Sequence, residues 1–337
     1  MEKRIKQVTA VLPARNCRKE LARCLAALSA GDCPMQLIVV DDASSDGSAQ
    51  MVRERWPEAV LLEVPVHTGF AHAANLGLRL VRTEYALLIR PDLQPGKTCA
   101  DRLLEKMEDD RVFCAVPRFL QKKEAGAGKA VLLRNQNMDG CAMYRMKALE
   151  ETGWFDERHF DGLEALDLSL RAAMYGWKTV RVPDALVLRT KTSGFAGGIF
   201  RRQLAAGNRS YLLYKHLSVP LRVLGFPALK AADAMQALSF AGSGETEAYR
   251  MAQVRGKALC SLEKERREAL ADGVSVWAES LPEASFLGME DAAETIYPLF
   301  LAEKEPFSLS GLPDFFRMQV LLLRSLPELY SLEREEL

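Results

Sequence analysis

The first 190 residues alternate short apolar runs with segments in which apolar residues recur at helical spacing. Four runs predict strands, at residues 8–12, 37–40, 60–64 and 85–89, and helical patterns follow the first three. Strands that are joined by helices run parallel, with right-handed crossovers. The alternation therefore predicts an α/β fold, a mostly parallel sheet flanked by helices, with Asn16 as N-cap of the first helix.

The pattern changes twice further along the chain. Residues 118–137 interrupt it and contain a Gly- and Lys-rich stretch at 122–129, which predicts a loop. After a Gly-rich junction at 193–198, only helical patterns follow. We therefore predict two regions, an α/β domain at residues 1–195 and an α-helical C-terminal region at 196–337.

Charge and cysteine content narrow the class of protein. Lys plus Arg and Asp plus Glu each number 45, so the chain lacks the basic surplus that nucleic-acid binding requires. No apolar run is long enough for a spanning helix, and the charged first residues do not resemble a signal peptide. The seven cysteines are scattered, without a Cys-x-x-Cys pair. We expect a cytoplasmic protein with reduced thiols.

Polar residues follow each predicted strand, where open α/β sheets bind ligands. These segments are residues 13–16, 41–48, 67–70 and 90–92. Acidic groups and turns at one edge suit a nucleotide base, a ribose and a phosphate-bound cation. For Asp46 a capping role at the next helix is favoured over a ligand role, whereas Asp42 is favoured as a binding residue. No Gly-x-Gly-x-x-Gly follows the first strand, so the dinucleotide fingerprint is absent.

Five segments, in order, resemble the family 2 glycosyltransferases, which have a GT-A type fold. They are Ala-Val-Leu-Pro-Ala-Arg-Asn at 10–16, Ile-Val-Val-Asp-Asp-Ala-Ser-Ser-Asp-Gly-Ser at 38–48, Thr-Gly-Phe-Ala-His-Ala-Ala-Asn-Leu-Gly at 68–77, Gly-Trp-Phe-Asp-Glu at 153–157, and Glu-Ala-Leu-Asp-Leu-Ser-Leu-Arg at 164–171 with Gly-Trp at 176–177. The helical tail is also similar to rhamnosyltransferase-like members.

This resemblance implies inverting transfer of a sugar from a nucleoside-diphosphate donor to a glycan or to a lipid- or protein-linked acceptor. It also implies Mg²⁺ or Mn²⁺ at the leaving diphosphate. The implied site residues are Pro13, Arg15, Asp41, Asp42 and Asn75 for the nucleotide, Gly140 and Cys141 on the donor-sugar side, and Asp92 for the metal.

Three positions depart from the family pattern. Arg90 replaces an acid or Asn of the metal motif, Ala165 replaces the aspartate usually assigned as general base, and Arg189 replaces a histidine. One hypothesis is a metal-independent enzyme, in which Arg90 and Arg189 bind the diphosphate directly. Glu164, Asp167 or Asp161 then supplies the base. The alternative is a catalytically inactive binding or assembly subunit.

Simpler structural roles compete for several residues. Asp167 and Arg171 are four apart on a predicted helix and suit an ordinary exposed ion pair. The four histidines, His67, His72, His159 and His216, lack ligand spacing and are interpreted as structural. The apolar stretch at 211–226 either packs on the α/β domain, mediates a homo-oligomer, or contacts the inner face of a membrane near a lipid-linked acceptor.

Overall fold

The computed structural model describes residues 8–122, 130–132, 140–190, 198–217, 222–223 and 225–271. The strands are β1 Val8–Ala14, β2 Met35–Asp42, β3 Val60–Val64, β4 Tyr85–Ile89, β5 Leu93–Pro95, β6 Val112–Lys122, β7 Ala130–Leu132, β8 Cys141–Arg145 and β9 Lys178–Arg189. The helices are α1 Arg18–Ser29, α2 Ser48–Arg55, α3 Phe70–Leu78, α4 Cys99–Lys106, α5 Met146–Thr152, α6 Glu164–Met174, α7 Gly198–His216, α8 Phe226–Gly242 and α9 Thr246–Ala271, with a short 3-10 turn at Glu157–His159.

One sheet of nine strands organises the α/β region, in the order β3-β2-β1-β4-β8-β6-β9-β5, with β7 paired to β6. Strands β1 to β4 are parallel to one another, as the alternating pattern predicts. The second half is mixed, because β8 runs antiparallel to both β4 and β6, while β9 is parallel to β6. The α/β prediction is confirmed, and its parallel part is the first half of the sheet.

The core lies between β1 and the helices on both faces of the sheet. All seven residues of β1 are buried, as expected for a central strand covered on both sides. Helix α3 packs directly on it, since a Cβ at Gly77 would lie 2.4 Å from Cγ1 of Val11. This packing fixes the starts of α1, α2 and α3 at the carboxyl edge of β1 to β3.

Residues 93–95 form a short strand, β5, beside β9. Two local predictions are wrong. Residues 118–122 continue β6 instead of forming a loop. Asn16 does not cap α1, which begins two residues later with Cys17 at the N-cap position. Instead Asn16 has a positive φ of 46°, and its Oδ1 accepts a hydrogen bond from the backbone N–H of Ser45 at 2.8 Å.

The C-terminal helices form a second, smaller assembly. Helices α7 and α9 cross closely at two glycines: a Cβ on Gly207 would lie 3.0 Å from the carbonyl oxygen of Ala252, and one on Gly256 would lie 3.2 Å from that of Gly207. Arg202 of α7 hydrogen-bonds Ser239 Oγ of α8 at 2.8 Å. None of the helices in the described residues is long and apolar enough to cross a bilayer.

Several sequence predictions fall outside the described residues. They concern most of the Gly- and Lys-rich stretch at 122–129, the predicted domain boundary at residue 195, and everything after residue 271. The seven cysteines all lie within the described residues, and each is a free thiol.

Candidate functional site

Asp42 stands at the end of β2 and is fully buried. Its Oδ1 accepts hydrogen bonds from the Thr68 backbone N–H at 2.8 Å and from Thr68 Oγ1 at 2.9 Å. Its Oδ2 lies 2.7 Å from His67 Nδ1 and accepts from the Gly69 backbone N–H at 3.0 Å. The carboxylate therefore holds the turn at residues 67–69, and His67, whose side chain is 22% exposed, is the more accessible of the two residues.

The turns after β1 and β2 are tied together at the same edge. Asp46 accepts from the backbone N–H of Arg18 at 2.8 Å and of Ser48 at 3.0 Å, so one carboxylate serves the first residue of both α1 and α2. Although burial opposes the shift, a hydrogen bond from the Ser48 hydroxyl, together with these two N–H groups, lowers the pKa of Asp46. The predicted capping role of Asp46 is confirmed. Asp41 is buried beside it and accepts from the Ser44 N–H at 3.1 Å.

Pro13 and Arg15, assigned to the nucleotide from the sequence, lie at this edge as well. Pro13 is paired in register with Val40, and Arg15 directly follows β1. Asn75 is placed differently. Its side-chain amide donates to the Phe155 carbonyl at 2.9 Å and to Glu157 Oε1 at 2.8 Å, and its Oδ1 accepts from the Phe155 N–H. Asn75 thus anchors the segment before the 3-10 turn.

Arg90, directly after β4, forms a buried ion pair with Asp161. The two nitrogen–oxygen distances are 2.9 and 3.2 Å, and the side chains are only 3% and 0% exposed. The guanidinium also stacks 4.5 Å from the Phe70 ring centroid. Burial acts to lower the pKa of Arg90, but the charge of Asp161 dominates and raises it. Burial likewise acts to raise the pKa of Asp161, and Arg90 lowers it.

Asp92 is the centre of a second group at this edge. Its Oδ2 lies 3.9 Å from Arg189 Nε, at the end of β9, and its Oδ1 has no hydrogen-bond partner among the described residues. Burial raises the pKa of Asp92, and the positive charges of Arg189, Arg90 and Arg201 oppose that rise. Arg201, on the first turns of α7, also acts on Asp161. Three guanidinium groups therefore converge on two carboxylates.

Gly140 and Cys141 lie next to these arginines. The Arg90 backbone N–H donates to the Gly140 carbonyl at 2.6 Å, and a Cβ on Gly140 would lie 3.3 Å from Arg90 Cδ and 3.5 Å from Arg189 Nη2. With a φ of 121°, Gly140 adopts a conformation that a side chain would strain. Cys141 pairs in register with Ile89, and burial raises the pKa of its thiol.

Of the three candidate bases, Glu164 and Asp161 belong to this site. Glu164 begins α6, is fully buried, and its charge contributes to the raised pKa of Arg90. Asp167 lies one turn further along and points to the C-terminal helices. Its Oδ1 lies 2.9 Å from Lys215 Nζ, and its Oδ2 accepts from Arg171 Nε at 3.0 Å. The predicted pair of Asp167 and Arg171 exists, but it is fully buried rather than exposed.

A divalent cation needs several oxygen ligands, and two places in the described residues bring carboxylates together. At the sheet edge, Asp41 Oδ1 and Asp92 Oδ1 accept no hydrogen bond from the described residues, but the guanidinium charges around Asp92 repel a cation. Asp156, His159 and Asp167 have ligand atoms within 4.8 Å of one another, but the ammonium of Lys215 lies 2.8 Å from Asp156 and already occupies the position of a cation. The described residues do not fit a divalent metal at either place.

Sequence reasoning missed Arg201, Lys215 and the role of His67. Arg201 and Lys215 lie on α7, far along the chain from the residues that they approach, so no local motif links them. The Asp42–His67 contact had one usable signal, since Asp42 ends β2 and His67 comes soon after β3, the neighbouring parallel strand.

Comparison with known proteins gives matches over the α/β region. Residues 9–137 match the family model described as Glycosyl transferase family 2. Two curated relatives from Mycobacterium tuberculosis (strains CDC 1551 / Oshkosh and ATCC 25618 / H37Rv) are named N-acetylglucosaminyl-diphospho-decaprenol L-rhamnosyltransferase. Each is 25% identical over 244 residues, which cover 58% of this chain and 79% of the relative.

Solved structures are similar in fold. The mannosyltransferase PcManGT from Pyrobaculum calidifontis, in complex with GDP-Man and Mn²⁺, superposes with a TM-score of 0.50 and 18% identity, covering 87% of this chain and 86% of that chain. TarS from S. aureus superposes with a TM-score of 0.47 and 14% identity, covering 73% of this chain and 54% of that chain.

Proposed function

We propose that the chain is a family 2 glycosyltransferase with a GT-A type fold, and that it transfers a sugar from a nucleoside-diphosphate donor, with inversion, to a hydroxyl group of a saccharide. The names of the curated relatives support a lipid-linked saccharide as the acceptor class. The observation that carries the proposal is the placement of Arg90 against Asp161 and of Arg189 beside Asp92 at the carboxyl edge of the sheet.

The diphosphate would lie against Arg189 and Arg201. The Arg189 side chain is 19% exposed, and Arg201 is also partly exposed, so both are accessible to a ligand. The forked guanidinium matches phosphate oxygens and stays charged at every working pH. Fixed positive charge at the leaving diphosphate lowers the barrier by offsetting the charge that develops there. This chain would therefore work without a divalent cation.

Arg90 has a different role from the one that the sequence suggested. Its guanidinium is occupied by Asp161 and buried against Phe70, so it would act on the diphosphate through its charge and not by direct contact. The Arg90–Asp161 pair would also fix the position of the strand end that carries Asp92.

Glu164 is our candidate for the group that removes the acceptor proton. Asp161 is neutralised by two hydrogen bonds from Arg90, and Asp167 by Lys215 and Arg171. Glu164 begins α6 just after the turn that carries Asp161, and its charge acts on Arg90. Because Glu164 is fully buried, it can act as the general base only if the bound complex brings the acceptor hydroxyl to it.

Nucleotide binding tests the proposal. Isothermal titration with UDP, dTDP and GDP should give binding of at least one of them in EDTA, and added Mn²⁺ should leave the affinity unchanged. Arg189→Ala and Arg201→Ala should each weaken that affinity by about tenfold to a hundredfold. Arg250→Ala is the matched control, since Arg250 is exposed on α9 and pairs with Glu247.

Each contrary result has a distinct meaning. Binding that requires Mn²⁺ would refute the arginine-based diphosphate site. A chain that binds none of the three nucleotides under either condition would refute the donor class itself.

A further inference from the structure

The backbone just before α6 is strained at Phe160. Its φ of 65° and ψ of −65° form a γ-turn, in which the Asp161 N–H donates to the His159 carbonyl at 2.8 Å. Gly162 and Leu163 follow with φ of 92° and 69°. Such conformations persist only where the surroundings hold them in place. This turn carries Asp161, and Glu164 begins the helix that follows it.

Helices α7 and α9 bind the carbonyl groups of this turn. The side-chain amide of Asn208, which is fully buried, donates to the carbonyl oxygens of His159 at 2.7 Å, Asp161 at 3.1 Å and Gly162 at 2.9 Å. Arg255 of α9 donates to the Arg158 carbonyl at 2.6 Å. Buried carbonyls in an irregular turn need such partners, because no helix or strand satisfies them.

The α/β region also contacts this turn. The Phe160 carbonyl accepts from the Ala71 N–H at 3.1 Å, and its ring meets His67 with centroids 5.0 Å apart. Phe200, on the first turn of α7, also contacts the Phe160 ring, with the two ring centroids 6.3 Å apart. The turn is thus held between the carboxyl edge of the sheet and the C-terminal helices.

We propose that Asn208 is a positioning residue for the transfer: through the three carbonyls of the turn it sets the place of Asp161 against Arg90 and of Glu164 at the start of α6. Asn208 itself touches no reacting group. The C-terminal helices therefore complete the active site and do more than extend the chain. This inference rests on the proposed function, since Asp161 and Glu164 are given their roles there.

The test compares three variants. Asn208→Ala removes the amide, and Asn208→Asp keeps its shape while replacing the donating nitrogen with an acceptor. Leu204→Ala is the matched control, because Leu204 is buried on the same helix and has no hydrogen bond to the turn. Peptide-level hydrogen exchange over residues 158–163 and donor hydrolysis, with UDP-glucose, GDP-mannose and dTDP-rhamnose as probes, are measured on all of them.

Both Asn208 variants should exchange faster across the turn than Leu204→Ala, with unchanged exchange in β1 to β4. They should also lower kcat for hydrolysis of the accepted donor by about tenfold to a hundredfold, with a smaller change in KM, because misplacement affects the reacting geometry more than binding. Equal exchange, or equal kcat once the variants are matched for stability, overturns the proposal. If the wild type neither binds nor hydrolyses a donor, the proposed function fails, and exchange alone decides whether Asn208 fixes the turn.

Discussion

Lys215 of α7 and Asp167 of α6 form a buried ion pair, with 2.9 Å between Nζ and Oδ1. The same ammonium lies 2.8 Å from Asp156, and His216 Nε2 lies 2.8 Å from Asp167. These contacts attach the C-terminal helices to the α/β region through charge. Removing one member of such a group leaves uncompensated charge in the interior.

Lys215→Met should destabilise the protein by about 3–5 kcal/mol, because two buried carboxylates lose their shared cation while the packing volume is nearly kept. Urea unfolding followed by circular dichroism measures the loss. Lys230→Met is the control, since Lys230 is 62% exposed and pairs with Asp233 of the next turn. Similar midpoints for the two variants would contradict the importance assigned to this pair.

Acid should weaken the same attachment. Burial acts to raise the pKa of Asp156, but Lys215 lowers it to about 2, and Asp167 is lowered well below its usual value by Lys215 and Arg171. Because the folded-state pKa values lie below the unfolded ones, the stabilisation is complete above the unfolded pKa of about 4 and is lost as pH falls through 2.

The expected loss from Asp156 alone is on the order of 2 kcal/mol. Urea midpoints measured at several pH values between neutral and strongly acidic would show it as a steep decline below about pH 4. Lys215→Met should flatten that decline, since it removes the main cause of the lowered pKa. A decline of the same steepness in the variant would show that other carboxylates are responsible.

Asp161→Asn should cost about 3–5 kcal/mol, because it leaves the Arg90 guanidinium charged and buried without its partner. The double variant Arg90→Met with Asp161→Leu should recover part of the lost stability. A double-mutant cycle, which compares the double variant with its two single variants, measures the coupling. Glu105→Gln on the exposed Arg102–Glu105 pair, whose side chains are 49% and 53% exposed, should cost less than about 1 kcal/mol. Equal costs for Asp161→Asn and Glu105→Gln would refute the buried ion pair.

Gly69→Ala should destabilise the fold and also disturb the carboxyl edge of the sheet, where we propose that the nucleotide binds. Gly69 has a φ of 90°, and a Cβ there would lie 2.6 Å from Phe160 Cδ2 and 2.8 Å from its carbonyl oxygen. Gly244→Ala separates the two effects, because Gly244 has a φ of 73° but no neighbour within 4 Å. The Gly244 variant should lose about 1 kcal/mol through backbone strain, and the Gly69 variant clearly more. Thermal unfolding that ranks them equally would exclude the clash with Phe160.

The first half of the fold could be predicted from sequence because its signals are local. Strands β1 to β4 are continuous apolar runs, and each segment after them begins with turn and cap residues. The mixed half could not be predicted, because β8 pairs with β4 across a long stretch of sequence. Cys141 pairs with Ile89, 52 positions away, and Arg145 pairs with Tyr85, 60 positions away, and no periodicity records such a span.

The candidate site divides in the same way. Asp92 Oδ2 lies 3.9 Å from Arg189 Nε, and the sequence places both residues at strand ends. Asn75 and Asp167 are also predicted as site residues from the sequence, but their side chains bind neighbouring groups of the protein. Only the three-dimensional contacts distinguish such residues from those at the site. Arg201 carries no signal in the sequence, because its contribution depends on how α7 docks.

The cross-links of Asp46 and Asn16 have a consequence for binding kinetics. Since Asp46 joins the first residues of α1 and α2, and Asn16 joins the turn after β1 to Ser45, the two loops cannot fluctuate independently. A nucleoside that binds there contacts loops that are already ordered, so little loop entropy is lost on binding. Association at this edge should therefore proceed in a single fast phase, without a slow ordering step after encounter.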